Sequence, residues 1–127
     1  MTQRILIIDD NEDNRQIMID LLGAADYELI LGYSGPEAVT LAERHVPDLI
    51  LMDIQLPGFD GHEATRRIKA QPQLAHIPVI AVTSYALDGD RKKATDAGCD
   101  DYVTKPFSPR ALLAKVRETL ARTGTAG

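Results

Sequence analysis

Five short apolar runs punctuate this chain at intervals too long for hairpins, and that spacing most constrains its fold. They are Ile5-Leu6-Ile7-Ile8, Leu29-Ile30-Leu31, Leu49-Ile50-Leu51-Met52, Val79-Ile80-Ala81-Val82 and a weaker Tyr102-Val103. Continuous rather than alternating hydrophobicity suits strands covered on both faces, as in a parallel sheet. Helix-period segments separate the runs. Ile17, Met18, Leu21 and Leu22 are expected on one face of a helix, as are Ala38, Val39, Leu41 and Ala42, and Leu112, Leu113, Val116 and Leu120. Ser108-Pro109 reads as an N-cap followed by proline at the first helical position. Two less amphipathic helices are expected near 61–70 and 86–97, with Pro57 and Gly61 shaping the loop and helix start after the third run. Five β-α repeats predict a doubly wound α/β sheet with right-handed crossovers.

With 127 residues, the chain suits one domain, expected over 1–122, with a short C-terminal tail at 123–127. Its 44% hydrophobic and 26% charged residues are ordinary for a globular protein. A net charge of −5 argues against a broad nucleic-acid-binding surface. One cysteine, Cys99, permits no intramolecular disulfide and fits a reducing compartment; it reads as a buried apolar filler. The first apolar run is too short for a signal-peptide core or a membrane span. These features predict a cytoplasmic protein with no membrane partner and no direct DNA binding.

Open α/β sheets bind ligands just beyond the carboxyl ends of their strands. Asp9-Asp10 follows the first run, Asp53 the third, Thr83-Ser84 the fourth and Lys105-Pro106 the fifth. Alone, each is unremarkable: an Asp-Asp pair is most often a loop or a helix cap, and Thr83 could simply end a strand. Jointly they place three carboxylates, a hydroxyl and an ammonium around one crevice. Carboxylates crowded together repel, which raises their pKa values unless a cation is present. Hard oxygen ligands of high charge density favour Mg²⁺, which Asp10 and Asp53 could hold with Asp9 supporting through water. Asp53 could then act as a nucleophile toward phosphorus, forming an acyl phosphate, with Lys105 and Thr83 meeting the phosphoryl oxygens. His45, His62 and His76 lack metal-ligand spacing.

These residues resemble the receiver domain of two-component response regulators. The matching segments are Ile7-Ile8-Asp9-Asp10-Asn11, Pro47-Asp48-Leu49-Ile50-Leu51-Met52-Asp53, Gln55-Leu56-Pro57-Gly58-Phe59-Asp60-Gly61, Ile77-Pro78-Val79-Ile80-Ala81-Val82-Thr83 and Lys105-Pro106. The resemblance covers almost the whole chain and implies a CheY-like, flavodoxin-like fold with strand order 2-1-3-4-5. It implies Asp53 as phosphoacceptor, Asp9 and Asp10 with the Gln55 carbonyl as Mg²⁺ ligands, and Thr83 and Lys105 as phosphate contacts. It further implies Tyr102 as a switch aromatic responding to Thr83, Gln55 and Tyr85 as tuners of phosphoryl lifetime, and a cis bond before Pro106. Within the family, Leu74 to Thr83 resembles stand-alone, DivK-like regulators, and an initiating Met just before the first strand suits a free-standing protein.

The implied partners are a sensor histidine kinase or histidine phosphotransfer protein and a downstream protein target, with the regulator a monomer or a phosphorylation-dependent homodimer. The charge run from Asp88 to Lys93 lies where the family makes output contacts. The implied role is a signalling switch that catalyses only its own phosphorylation and dephosphorylation. A haloacid-dehalogenase-type phosphatase would carry a second Asp where Gln55 stands. A degenerate docking module would not need the full acidic set, and a nucleotide-binding Rossmann domain would need a Gly-rich turn where Asp9-Asp10-Asn11 stands.

Overall fold

A computed structural model of the chain describes residues 2–83, 88–105 and 107–122, with the backbone alone described at 88–91. Five parallel strands alternate with five helices: β1 (Arg4–Ile8), α1 (Glu12–Gly23), β2 (Glu28–Gly32), α2 (Gly35–His45), β3 (Leu49–Asp53), α3 (Gly61–Lys69), β4 (Val79–Thr83), α4 (Asp88–Ala97), β5 (Asp101–Thr104) and α5 (Pro109–Arg122). The strand order is β2-β1-β3-β4-β5, as the resemblance implied. β1, β3 and β4 are interior strands whose apolar residues are buried, whereas the edge strands β2 and β5 are largely half-buried.

The sheet has two apolar faces, which explains the uninterrupted runs. Ile5, Ile7, Leu49, Leu51, Ile80 and Val82 pack on one side with Met18 and Leu22 of α1 and Leu112, Val116 and Leu120 of α5. Leu6, Ile8, Ile50, Met52 and Val79 face the other side, against Ala38 and Ala42 of α2 and Ala64 and Ile68 of α3. Successive strand residues point to opposite faces, so a strand buried on both has no polar position to spare.

Local signals start the helices. Asn11, Ser34 and Asp60 each accept a hydrogen bond from the backbone N–H three residues on, capping α1, α2 and α3. At α5 the expected Ser108 cap accepts from Ala111 N–H at 3.4 Å, with Pro109 as the first helical residue. The inward face of α1 differs from the expected one at Ile17. Ile17 is 44% exposed, while Met18 and Leu22 are buried and Leu21 packs at the margin. At about 100° per residue Ile17 lies beyond the stripe that Met18 and Leu22 define against the sheet. Cys99 is half-buried rather than buried, in contact with the packing under α3 and α4.

Candidate active site

The strand ends converge because parallel strands share one direction, so every carboxyl end lies at the same edge. Asp9 follows β1, Asp53 ends β3, Thr83 ends β4 and Lys105 follows β5. Asp9, Asp53 and Thr83 are buried, whereas Asp10 is exposed. Carboxylate oxygens of Asp9, Asp10 and Asp53 lie within 4.8 Å of one another, the one such cluster of candidate metal ligands among the described residues. Lys105 Nζ stands 3.2 Å from Asp9 Oδ2 and 3.3 Å from Asp53 Oδ2.

The backbone sets these side chains. Asp9 N–H donates to the Gly32 carbonyl at 3.2 Å, and its own carbonyl accepts from Arg15 Nη1 at 2.9 Å. Asn11 N–H donates to Asp9 Oδ1 at 2.8 Å, and Gln55 N–H to Asp53 Oδ1 at 3.2 Å. Beyond Asp53 the chain doubles back tightly. Gly61 N–H donates to the Ile54 carbonyl at 2.9 Å, and a Cβ at Gly61 would collide with the Asp53 carbonyl oxygen. Glycine is therefore required for α3 to start against the end of β3. Lys105 N–H donates to the Thr83 carbonyl at 2.7 Å, tying the cation's backbone to the end of β4.

Burial pushes the Asp53 carboxyl up from 3.8 to about 6, and the neighbouring Asp9 carboxylate pushes the same way; Lys105 and the Gln55 N–H oppose them. Carboxylate crowding was legible in the sequence, whereas burial, the larger cause, was not. Cys99 takes no part: burial raises its thiol to about 11, which leaves it protonated and unreactive.

The donor set fits a hard divalent cation. Three carboxylates face one ammonium, leaving an excess of negative charge. Asp9 Oδ2 is buried with no hydrogen-bond partner among the described residues, Lys105 meeting it as a charge contact only. An ion would satisfy that oxygen. A cleft of about 880 Å³ opens beside Asp10 and Gln55, walled by His62 and Arg66 of α3 and Lys93 and Asp96 of α4.

Of the other residues singled out in the sequence, Tyr102 is half-buried on β5, paired with Ala81 and packed against the cluster of Ile54, Ala81 and Ala94. The Gln55 side chain is exposed. Tyr85 and Pro106 lie outside the described residues. The contact of Arg15 with Asp9 was missed; its sequence signal is no more than a basic residue early in the helix after the acidic pair.

The model of the response regulator receiver domain family matches residues 5–117. The chain belongs to that family. Among characterised proteins similar to this receiver domain is the polar-differentiation response regulator DivK of Brucella ovis, 45% identical over 120 residues that cover 94% of this chain and 98% of that protein. DivK of Brucella anthropi is 43% identical over the same shares. Among solved structures, a CheY-like receiver domain protein from Methanospirillum hungatei superposes with a TM-score of 0.91 at 30% identity, covering 100% of both chains. The receiver domain of a sensor histidine kinase from Pseudomonas aeruginosa, described with a magnesium ion coordinated in its active-site cleft, gives 0.84 at 40% identity, covering 98% of this chain and 99% of that one. No helix among the described residues is long and apolar enough to cross a membrane.

Proposed function

We propose that this receiver domain is a stand-alone response regulator that accepts a phosphoryl group on Asp53 in a Mg²⁺-dependent reaction and passes the signal on through protein contacts. One observation carries the reading: the Asp53 carboxylate lies within ion-pair distance of Lys105 and shares a cluster with Asp9 and Asp10.

Asp9, Asp10 and Asp53, with the Gln55 carbonyl, would hold the metal, which supplies charge neutralisation and a template for the phosphoryl oxygens. The chain's own groups do the rest. Asp53 Oδ attacks phosphorus, the bond from phosphorus to the donor's imidazole nitrogen breaks, and that imidazole leaves with the donor and takes up a proton. Lys105 draws one phosphoryl oxygen by charge, and the Thr83 hydroxyl donates to another. Asp53 and Lys105 are held together before the reaction begins, so little reorganisation on their part opposes charge build-up.

The new charge then biases a two-state element. Thr83 moves toward the phosphoryl group and Tyr102 fills the space behind it, reshaping the surface around α4, β5 and α5. By family resemblance, the residue types at Gln55 and Tyr85 tune the lifetime of the acyl phosphate. The partners are a histidine kinase or phosphotransfer protein upstream and a protein target downstream, in the cytoplasm, with the regulator a monomer or a phosphorylation-dependent homodimer. Similarity to DivK regulators supports this role.

The test is intact mass after incubation with a small acyl phosphate, with and without Mg²⁺, beside Asp53→Asn. A single Mg²⁺-dependent phosphoryl adduct absent from the variant is expected. Rapid donor turnover with no adduct would replace the switch with a phosphatase. A folded, Mg²⁺-binding protein that takes no phosphoryl group from this donor or from a histidine phosphotransfer protein would be a docking module.

A further inference from the structure

The Asp9–Asp10 peptide carries both N-terminal carboxylates of the acidic cluster, and a side chain outside the cluster grips it. Arg15, one turn into α1, donates Nη1–H to the Asp9 carbonyl at 2.9 Å. That oxygen belongs to the peptide plane joining Asp9 to Asp10, so the bond restrains rotation of the plane from which both side chains project. The same guanidinium lies over the ring of Tyr33, 4.3 Å from its centroid. Tyr33 is 44% exposed, a large apolar surface otherwise unexplained; it serves as a platform for the planar cation. Asp9 N–H is held at the same time by the Gly32 carbonyl, and Asp9 Oδ1 by Asn11 N–H. The free oxygen, Oδ2, is thereby aimed at Lys105 and the shared cluster.

We infer that Arg15, braced by Tyr33, is a positioning residue for the cation site: it fixes the Asp9–Asp10 peptide so that both carboxylates stay ready for a divalent ion. The inference rests on the Mg²⁺-site reading above and adds to it a residue that touches neither the ion nor the phosphoryl group. Its sign separates it from plain electrostatics. Arg15 is a cation beside a cation site, so Coulomb repulsion alone predicts that Arg15→Ala strengthens metal binding. Positioning predicts the opposite, because a loosened peptide must be ordered again when the ion binds.

The experiment is calorimetric titration of the full chain with Mg²⁺, and with Mn²⁺ as a second probe, for the native sequence, Arg15→Ala, Arg15→Lys and Tyr33→Leu. Thermal unfolding without metal is followed alongside. Affinity is expected to fall about tenfold in Arg15→Ala, and by less in Tyr33→Leu, which keeps the charge and the donors but loses the ring. Arg15→Lys is expected to recover part of the loss. Unchanged or tighter metal binding in Arg15→Ala, with the native chain binding normally, overturns the inference and leaves the metal site standing. Absence of binding in the native chain overturns the site reading and this inference with it. Should Arg15→Ala fail to fold, the comparison of Tyr33→Leu with the native chain decides: equal affinity there rejects the brace.

Discussion

Lys105 reaches Asp53 across an intervening strand: its Nζ stands 3.3 Å from Asp53 Oδ2, although β4 lies between β3 and β5. One ammonium thus serves two buried carboxylates, Asp9 and Asp53, and at Asp53 it does not fully offset burial and the repulsion of Asp9. Because the Asp53 carboxyl is raised above its ordinary value, its ionised form opposes folding at neutral pH where no cation offsets it.

That cost is measurable. The Asp53 carboxyl sits at about 6 in the folded chain against 3.8 for the ordinary group. Below about pH 4 both folded and unfolded states hold the proton. Between about pH 4 and 6 the folded state binds more protons than the unfolded, so stability falls as pH rises through this window. Asp53→Asn removes the titration. Metal-free Asp53→Asn is expected to be more stable than the native chain by roughly 1–3 kcal/mol at pH 7.5, with the gap closing toward pH 4. Urea unfolding at several pH values checks this; equal stabilities at pH 7.5 would contradict it.

Metal binding must follow the same proton. In the proposed site the ion needs an ionised Asp53, so Mg²⁺ affinity is expected to be level above about pH 7 and to drop roughly tenfold per pH unit below about 6. Binding should release a proton in that range, giving calorimetric enthalpies that vary with buffer ionisation heat. Affinity independent of pH between 5 and 7 would show that Asp53 is not a ligand.

At the opposite edge of the sheet, Lys69 is a structural clamp. Its Nζ donates to the Ile77 carbonyl at 2.6 Å and the Ala75 carbonyl at 3.2 Å, and pairs with Asp100 at 2.9 Å. Asp100 in turn accepts from Val79 N–H, so the starts of β4 and β5 hang on one cation. Lys69→Met is expected to cost about 1–2 kcal/mol, chiefly by leaving the part-buried Ile77 carbonyl unpaired. Phosphoryl adduct formation in the folded variant should be unaffected, because the reactive groups lie at the other ends of the strands. Loss of the adduct in a folded variant would contradict that separation.

Val46 ends α2 in the left-handed region, at φ 43° and ψ 65°, where a β-branched side chain is strained. Its N–H still donates to the Ala42 carbonyl at 2.9 Å, a bond glycine would keep. With the side chain 45% exposed, little packing would be lost. Val46→Gly is expected to stabilise the fold by about 0.5–1 kcal/mol and raise Tm by a few degrees. A lower Tm would mean that the apolar contact outweighs the strain.

Much of this molecule is written locally. Runs such as Leu49 to Met52 declare a strand buried on both faces, and the polar residue after each interior run marks the edge where ligands bind. The Ser108-Pro109 pair announces α5 by a hydrogen bond that spans three residues. Such signals survive in sequence because chain geometry alone places their partners. The strand order entered through family resemblance, since no local pattern says that β2 lies outside β1 rather than beside β3. The inward face expected of α1 includes Ile17, which packing against the sheet leaves exposed beyond the stripe of Met18 and Leu22. The Asp53 carboxyl at about 6, the span of Lys105 over β4 and the grip of Arg15 on Asp9 were decided only by packing. Burial and contacts between distant residues depend on what the rest of the chain brings alongside, and sequence spacing carries no measure of that distance.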